Sequence, residues 1–275
     1  MMCVDPIRLK KTLKNGDIKW IDVPCGKCAA CQQRRVSDIT FRLFQEYRHA
    51  SSAYFFTLTY DDCNIPLAEV DGSLYPTLKK EDVQKFLKRL REHIQPVKIR
   101  YYIVGEYGPN TNRPHYHGIL FNYPLGCDIL RDIQGAWQLY GESFGFVSVS
   151  PVTPGRISYI AKYVTKSDSL LERVKPVKEF SLSSRKPAIG SQFLTPALVK
   201  AYRRRTQTYV RDGAYKKHMP SYYRDKIFDN DWRKLARQNA LKKELDSHPI
   251  DVERLRSAER LLSYRLEKSR KNKKL

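Results

Sequence analysis

A chain of 275 residues is long enough for one full-sized core with extensions, or for two modest domains. With 41% hydrophobic and 12% aromatic residues it is too apolar to be disordered throughout, and no apolar run approaches the ~20 residues that span a bilayer. The formal charge of +22 is spread unevenly: residues 1–170 carry 23 basic and 17 acidic side chains, a net +6, whereas residues 171–275 carry 28 and 12, a net +16. That asymmetry points to a polyanionic partner, because each lysine or arginine that neutralises a phosphate releases a counterion. Solubility and attraction to anionic lipid are the competing uses of such a tail.

Met1 to Lys14 mixes Asp5, Pro6 and four basic residues and lacks the uninterrupted apolar core of a secretory signal, so the cytoplasm is the expected compartment. In a cytoplasmic protein the cluster Cys25-x-x-Cys28-x-x-Cys31 reads as metal-binding rather than as a disulfide framework. With Cys3 as a fourth ligand it would form a structural zinc site; otherwise it is three thiols at the start of a helix. Arg34 to His49 follows, with Val36, Ile39, Leu43 and Tyr47 at helical intervals. Ala53 to Tyr60, dense in aromatic and β-branched residues and stopped by Asp61 and Asp62, predicts a buried strand.

Pro76 and Thr77 open a second predicted helix, whose stripe of Val83, Phe86, Leu87, Leu90 and Ile94 runs until Pro96. Arg100 to Gly105 is a short apolar strand, Tyr107 to Pro114 a loop rich in turn residues, and His115 to Phe121 a further strand. Asp128 to Tyr140 reads as a helix and Phe146 to Ser150 as a strand. Thr153-Pro154 supplies a cap and a first-turn proline for a helix running past Tyr163. Two successive strands joined by a short loop imply a hairpin, and hence an α+β domain with a mainly antiparallel sheet.

The expected organisation is a cysteine-containing segment and helix over residues 1–50, a core over 51–170, and a basic extension over 171–275. Glu172 to Gln192 reads as a linker or extended arm, and Ala240 to Lys274 as a charged helical end.

The chemistry concentrates in two stretches. In Arg113-Pro-His-Tyr-His117, alternate side chains of a strand point the same way, so His115 and His117 share a face. Glu106, at the end of the preceding strand, approaches them if the hairpin folds back. Two nitrogens and one carboxylate suit Mn²⁺ or Mg²⁺, while paired histidines also occur as ordinary sheet residues. In the helix, Tyr159 and Tyr163 are four apart and share a face, with Lys162 and Lys166 one step round. A phenol with its ordinary pKa near 10 needs neighbouring positive charge to act as a nucleophile. The same tyrosines could instead pack on the core, with the lysines solvated. Farther on, Tyr202 to Tyr209 interleaves Arg203, Arg204 and Arg205 with aromatic rings, a pattern suited to phosphate contact and base stacking, or to a solvated helix face.

The order Phe56-Thr-Leu-Thr-Tyr60, Arg113-Pro-His-Tyr-His117, Tyr159 to Lys166 resembles the three motifs of the HUH endonuclease superfamily, specifically the replication initiators of the Microviridae, above all the gokushoviruses. Val23-Pro-Cys-Gly-Lys-Cys28, Ile103 to Glu106 and Met219 to Lys226 resemble that family too, so the likeness spans most of the chain up to about residue 230. The middle residue of the histidine pair, Tyr116, is aromatic rather than aliphatic, which fits the phage branch. The resemblance implies a five-stranded antiparallel sheet with the histidines on a central strand. It implies a divalent ion held by His115, His117 and Glu106, and tyrosine attack on single-stranded origin DNA with a host helicase as partner in the bacterial cytoplasm. A zinc-containing DNA-binding regulator without catalytic activity, or an HUH transposase or relaxase, are the alternatives.

Overall fold

The computed structural model describes residues 3–12, 16–108, 111–163, 176–205, 207–229, 232, 253, 256–257 and 259–264. In chain order the elements are β1 (Ile7–Thr12), β2 (Ile18–Val23), α1 (Ala29–His49), β3 (Ala53–Tyr60), β4 (Leu67–Val70), β5 (Ser73–Pro76), α2 (Lys80–His93), β6 (Arg100–Tyr107) and β7 (Pro114–Phe121). Then come α3 (Ile129–Ala136), β8 (Gln138–Leu139), β9 (Glu142–Ser143), β10 (Gly145–Pro151), α4 (Pro154–Lys162), β11 (Phe180–Ser183), α5 (Pro196–Arg204), β12 (Tyr209–Asp212), β13 (Tyr215–His218) and α6 (Ser221–Ile227). The chain divides into two compact units, one of residues 39–198 and one of residues 1–38 with 199–275.

The unit of residues 39–198 is built on a five-stranded sheet of order β10-β3-β7-β6-β11, antiparallel at every pairing. The expected α+β class and five-stranded sheet are therefore what the chain adopts, with the histidine strand β7 at the centre. The period of two along each strand separates two faces. Phe56, Leu58 and Tyr60 of β3, Tyr116 and Leu120 of β7, and Ile103 and Tyr107 of β6 join one buried cluster. Val83, Phe86, Leu87 and Leu90, the apolar stripe of α2, and Ile133 and Ala136 of α3 complete it. Each such side chain contributes roughly 1.5–3 kcal/mol by leaving water. Gly118 lets Phe56 lie across the central strand: a Cβ there would stand 2.1 Å from the Phe56 ring.

Polar atoms inside this cluster are paired. The Tyr60 hydroxyl donates to Asp82 at 2.9 Å and lies 3.1 Å from the Tyr116 hydroxyl, which also accepts the Lys79 N–H at 2.9 Å. On the other face, the buried Glu46 of α1 forms an ion pair with Arg100 of β6 and accepts the Gly190 N–H at 2.7 Å and the Gln192 side chain at 3.1 Å. Arg100 in turn donates to the carbonyls of Pro187 and Ala188 at 2.9 Å each.

Several expected boundaries move. Pro76 ends β5 instead of opening a helix, because residues 67–76 fold as a hairpin whose turn places Asp71 and Gly72 at positive φ. The predicted helix over Asp128–Tyr140 stops at Ala136, where Trp137 inserts its ring between Tyr60 and Phe144 at 5.1 and 4.9 Å. The largest change is in Glu172 to Gln192: Phe180–Ser183, within the expected linker, is the edge strand beside β6, from Phe180 opposite Gly105 to Ser183 opposite Tyr102. Four residues are too short a run to stand out from their polar surroundings. The expected helical end over Ala240 to Lys274 falls mostly outside the described residues.

In the other unit, β1 pairs with β2 and β12 with β13. Val210, Met219, Tyr223, Ile227 and Phe228 are buried, and the Ser221 N–H donates to Asp38 at 3.2 Å. Among the described residues no helix is long and apolar enough to cross a membrane.

Candidate metal and tyrosine site

The register of the central strands decides where the sequence motifs meet. Glu106 of β6 lies directly opposite His115 of β7, and Thr57 and Thr59 of β3 lie opposite His117 and His115. The expected loop from Tyr107 to Pro114 is shorter than read, since β6 runs through Tyr107 and β7 begins at Pro114. Glu106 is therefore an interior strand residue whose direction is set by the pleat.

Its carboxylate is 2% exposed. Glu106 Oε1 lies 2.6 Å from His115 Nε2 and 3.2 Å from His117 Nε2, and the two imidazole centroids are 4.9 Å apart. Each ring is held at its other nitrogen, His115 Nδ1 by the Arg113 carbonyl at 3.1 Å and His117 Nδ1 by the Thr57 hydroxyl at 2.9 Å. A carbonyl only accepts, so His115 Nδ1 carries a proton and its neutral form presents the Nε2 lone pair toward Glu106. Ligating histidines are commonly oriented in this way from their far nitrogen. The ligand atoms lie within 4.8 Å of one another. Two nitrogens and one carboxylate oxygen fit a divalent cation and leave coordination positions open.

The strand β7 is itself anchored at its start. Arg113 donates to the Tyr60 carbonyl at 2.6 and 3.1 Å and pairs with Asp62 at 2.6 Å. That anchoring fixes the carbonyl that orients His115, so the arginine ahead of the histidine pair acts at a distance of two residues.

The helix α4 supplies the tyrosines. Thr153 caps it by accepting the Arg156 N–H at 3.3 Å, and Pro154 stands in its first turn. Ile157, Ile160 and Ala161 are buried, which turns Tyr159 toward the sheet face that bears the histidines. The Tyr159 and Tyr163 rings lie 5.6 and 5.9 Å from the His117 ring and 4.8 Å from each other. The helix ends at Lys162 with Tyr163 as its cap, short of the expected continuation. Burial raises the pKa of both phenols; at Tyr159 a hydrogen bond with Tyr163 opposes the rise and the Glu106 carboxylate adds to it, and at Tyr163 Glu106 is the next cause after burial. Lys162 is exposed on α4, and Lys166 lies outside the described residues.

Two neighbours carry no signal of their role in the sequence. Phe55 stacks on His117 at 5.6 Å, with the Arg156 guanidinium 5.6 Å above the Phe55 ring. Thr57 sits within a motif legible as a strand, and its role as the partner of His117 depends on pairing between strands sixty residues apart. Strand alternation alone puts Phe55, Thr57 and Thr59 on one face, the only advance sign available.

The remaining predicted residues lie in the other unit. Cys3, Cys25, Cys28 and Cys31 bring their sulfurs within 4.8 Å of one another. Arg203, at the end of α5, donates to the Ile227 carbonyl, while Arg204 and Arg205 are exposed.

Residues 53–168 match the family model of the replication-associated protein ORF2. The chain is 28% identical to the replication-associated protein ORF4 of Chlamydia phage 1 over 74% of its own length and 53% of that protein. It is 26% identical to the replication-associated protein ORF2 of Spiroplasma virus 4, over 85% and 82% respectively. With the replication-associated protein VP4 of Bdellovibrio phage phiMH2K it shares 29% over 52% and 48%. It thus spans about half the length of two of these relatives. Among solved structures, the N-terminal nuclease domain of the minute virus of mice non-structural protein 1 overlaps 67% of this chain and 88% of its own, at 9% identity and a TM-score of 0.24, too low to bear on the fold. Through residues 53–168, then, the chain is one of the ORF2 family of replication-associated proteins, a relative of phage replication proteins.

Proposed function

We propose that the protein initiates rolling-circle replication of a circular single-stranded phage genome by nicking origin DNA with a tyrosine nucleophile. The observation that carries this reading is the placement of two phenol rings against His117, a member of the Glu106, His115 and His117 cluster. Kinship with phage replication-associated proteins supports the substrate class.

In this reading Glu106, His115 and His117 hold Mn²⁺ or Mg²⁺. That ion, when bound, supplies Lewis-acid polarisation of a non-bridging oxygen of the scissile phosphodiester. Arg113 and Thr57 keep the two imidazoles oriented. The hydroxyl of Tyr159 or Tyr163 attacks phosphorus; the tyrosyl O–P bond forms as the bond from phosphorus to the 3′ oxygen breaks. The phenolic proton passes to solvent and the departing 3′ oxygen takes one up, leaving a 5′-phosphotyrosyl bond and a 3′-hydroxyl that primes synthesis. After one round the second tyrosine attacks the regenerated origin, and the new 3′-hydroxyl displaces the first tyrosine to close a circle. One phosphodiester is exchanged for another at each step, so rejoining needs no nucleotide. Lys162 and Lys166 contribute positive charge near the phenols. Arg203, Arg204 and Arg205, with the basic residues beyond 171, contact the DNA backbone, and a host helicase in the bacterial cytoplasm opens the duplex.

The test incubates the protein and Mn²⁺ with labelled single-stranded origin-region DNA and maps any attached peptide by mass spectrometry. A 5′ adduct on Tyr159 or Tyr163 is expected, abolished in the Tyr159→Phe, Tyr163→Phe double variant. Full nicking by that variant would sink the reading, and tight binding without cleavage under any metal would favour a DNA-binding regulator.

A further inference from the structure

The nicking reading makes no use of the four clustered cysteines. Cys3 stands shortly before β1 and Cys25 shortly after β2, while Cys28 immediately precedes α1 and Cys31 lies in its first turn. Because β1 and β2 pair from Ile7 opposite Val23 to Thr12 opposite Ile18, the open end of that hairpin carries both Cys3 and Cys25. The cluster therefore joins three chain segments at one point.

Its geometry is that of a single tetrahedral ion. All four sulfurs lie within 4.8 Å of one another and none forms a disulfide. Zinc–sulfur bonds of about 2.3 Å place tetrahedral sulfurs about 3.8 Å apart. Cys3 and Cys28 already stand at 3.9 Å, and closure elsewhere asks for shifts of about 1 Å or less. An iron–sulfur cluster, with its inorganic core between the thiolates, needs a wider cage.

The backbone around the sulfurs is arranged to favour thiolate. Cys25 Sγ accepts the N–H groups of Lys27 at 3.4 Å and Cys28 at 3.3 Å, and Cys3 Sγ accepts that of Cys25 at 3.2 Å. A hydrogen bond to an ionised acceptor is the stronger kind, so these donors reward the ligating form. Gly26 makes the turn possible, since its φ of +76° is a left-handed conformation. The Arg35 guanidinium reaches within 3.5 Å of where a Gly26 side chain would begin, which puts a cation beside a site that is net negative once four thiolates are present.

The hairpin also lacks the burial that would order it alone. Ile7, Leu9, Ile18 and Trp20 are 47–59% exposed, and an isolated two-stranded hairpin is marginal in water. We propose that Cys3, Cys25, Cys28 and Cys31 bind one structural zinc ion that clips the open end of the β1–β2 hairpin to the first turn of α1. Binding releases the thiol protons to water and involves no oxidation, so metal binding and ordering of the hairpin are one equilibrium.

Metal analysis of the full chain purified without chelator should find one zinc that persists in the His115→Ala, His117→Ala variant and is lost in Cys28→Ser, Cys31→Ser. The two sets of variants separate this site from the one used for nicking, so either reading can fail alone. Cys28→His, which keeps a zinc-ligating atom, should restore the metal. Should the serine variant not fold, cobalt titration of chelator-treated wild-type protein decides: thiolate-to-cobalt charge-transfer absorption saturating at one equivalent is expected. Amides of residues 7–12 and 18–23 should exchange faster after chelation and slow again with zinc. Zinc content unchanged in the serine variant, a wild-type chain that yields neither zinc nor the cobalt absorption, or bound iron with inorganic sulfide would each overturn the proposal.

Discussion

The two faces of the five-stranded sheet are made from alternate residues of the same strands, yet one is a core and the other carries ionisable groups. On the first, Phe56, Leu58, Tyr60, Tyr116 and Ile103 pack against α2 and α3, and the few polar atoms, such as the Tyr60 and Tyr116 hydroxyls, are satisfied locally. On the second, Glu46, Arg100, Glu106, His115 and His117 are buried or nearly so, each held by at least one polar partner. Buried charges are tolerated only when paired, so the second face needs a network where the first needs only shape. A sheet with a two-residue period can in this way devote half of its side chains to stability and half to chemistry.

Substitutions on the two faces should separate those contributions. The largest effect is expected from Glu46→Ala, which leaves Arg100 buried without its carboxylate and frees the Gly190 N–H; removing one partner of a buried pair costs about 3–5 kcal/mol. Urea unfolding should show that loss, and a change under about 1 kcal/mol would mean that water replaces the pair and that the second face is less dry than described. Thr57→Val is nearly isosteric and removes the hydroxyl that holds His117 Nδ1. Losing such an orienting group typically weakens metal binding by about 10–100-fold, which isothermal titration with Mn²⁺ would measure. Unchanged affinity would show that strand geometry alone aims the ring. The smallest effect is expected on the first face: Tyr116→Phe removes one member of the Tyr60, Lys79 and Asp82 network for about 1 kcal/mol of stability. Its Mn²⁺ affinity should match the parent protein, because its side chain lies on the opposite side of the sheet from the histidines. A parallel loss of metal binding would break the separation of the faces.

Much of this arrangement is legible from residue order. The alternation in Ala53 to Tyr60 and His115 to Phe121, the apolar stripe of α2, and the Thr153-Pro154 start of α4 are local signals, and each corresponds to an element of the structure. Elements of four residues or fewer escape such reading. The hairpin β4–β5 is obscured by Pro76, which suits a helix start as well as a strand end, and β11 lies in a polar stretch whose apolar residues, Phe180 and Leu182, are too few to show a period. Helix ends are displaced where tertiary packing intervenes, as at Trp137, whose ring is drawn into the aromatic cluster with Tyr60 and Phe144.

The sequence by itself determined which side chains share a face: His115 with His117 through the strand period, Tyr159 with Tyr163 through the helical one, and three cysteines through close spacing. Only the tertiary structure decided what those faces meet. Glu106 reaches both histidines because the β6–β7 register sets it opposite His115, His117 is oriented by a threonine sixty positions away, and Cys3 joins the other cysteines because the β1–β2 hairpin brings its two ends together. The reason is that periodicity is a property of the local backbone, whereas register is chosen by the burial and hydrogen bonding of whole strands at once, which no short stretch of residues carries.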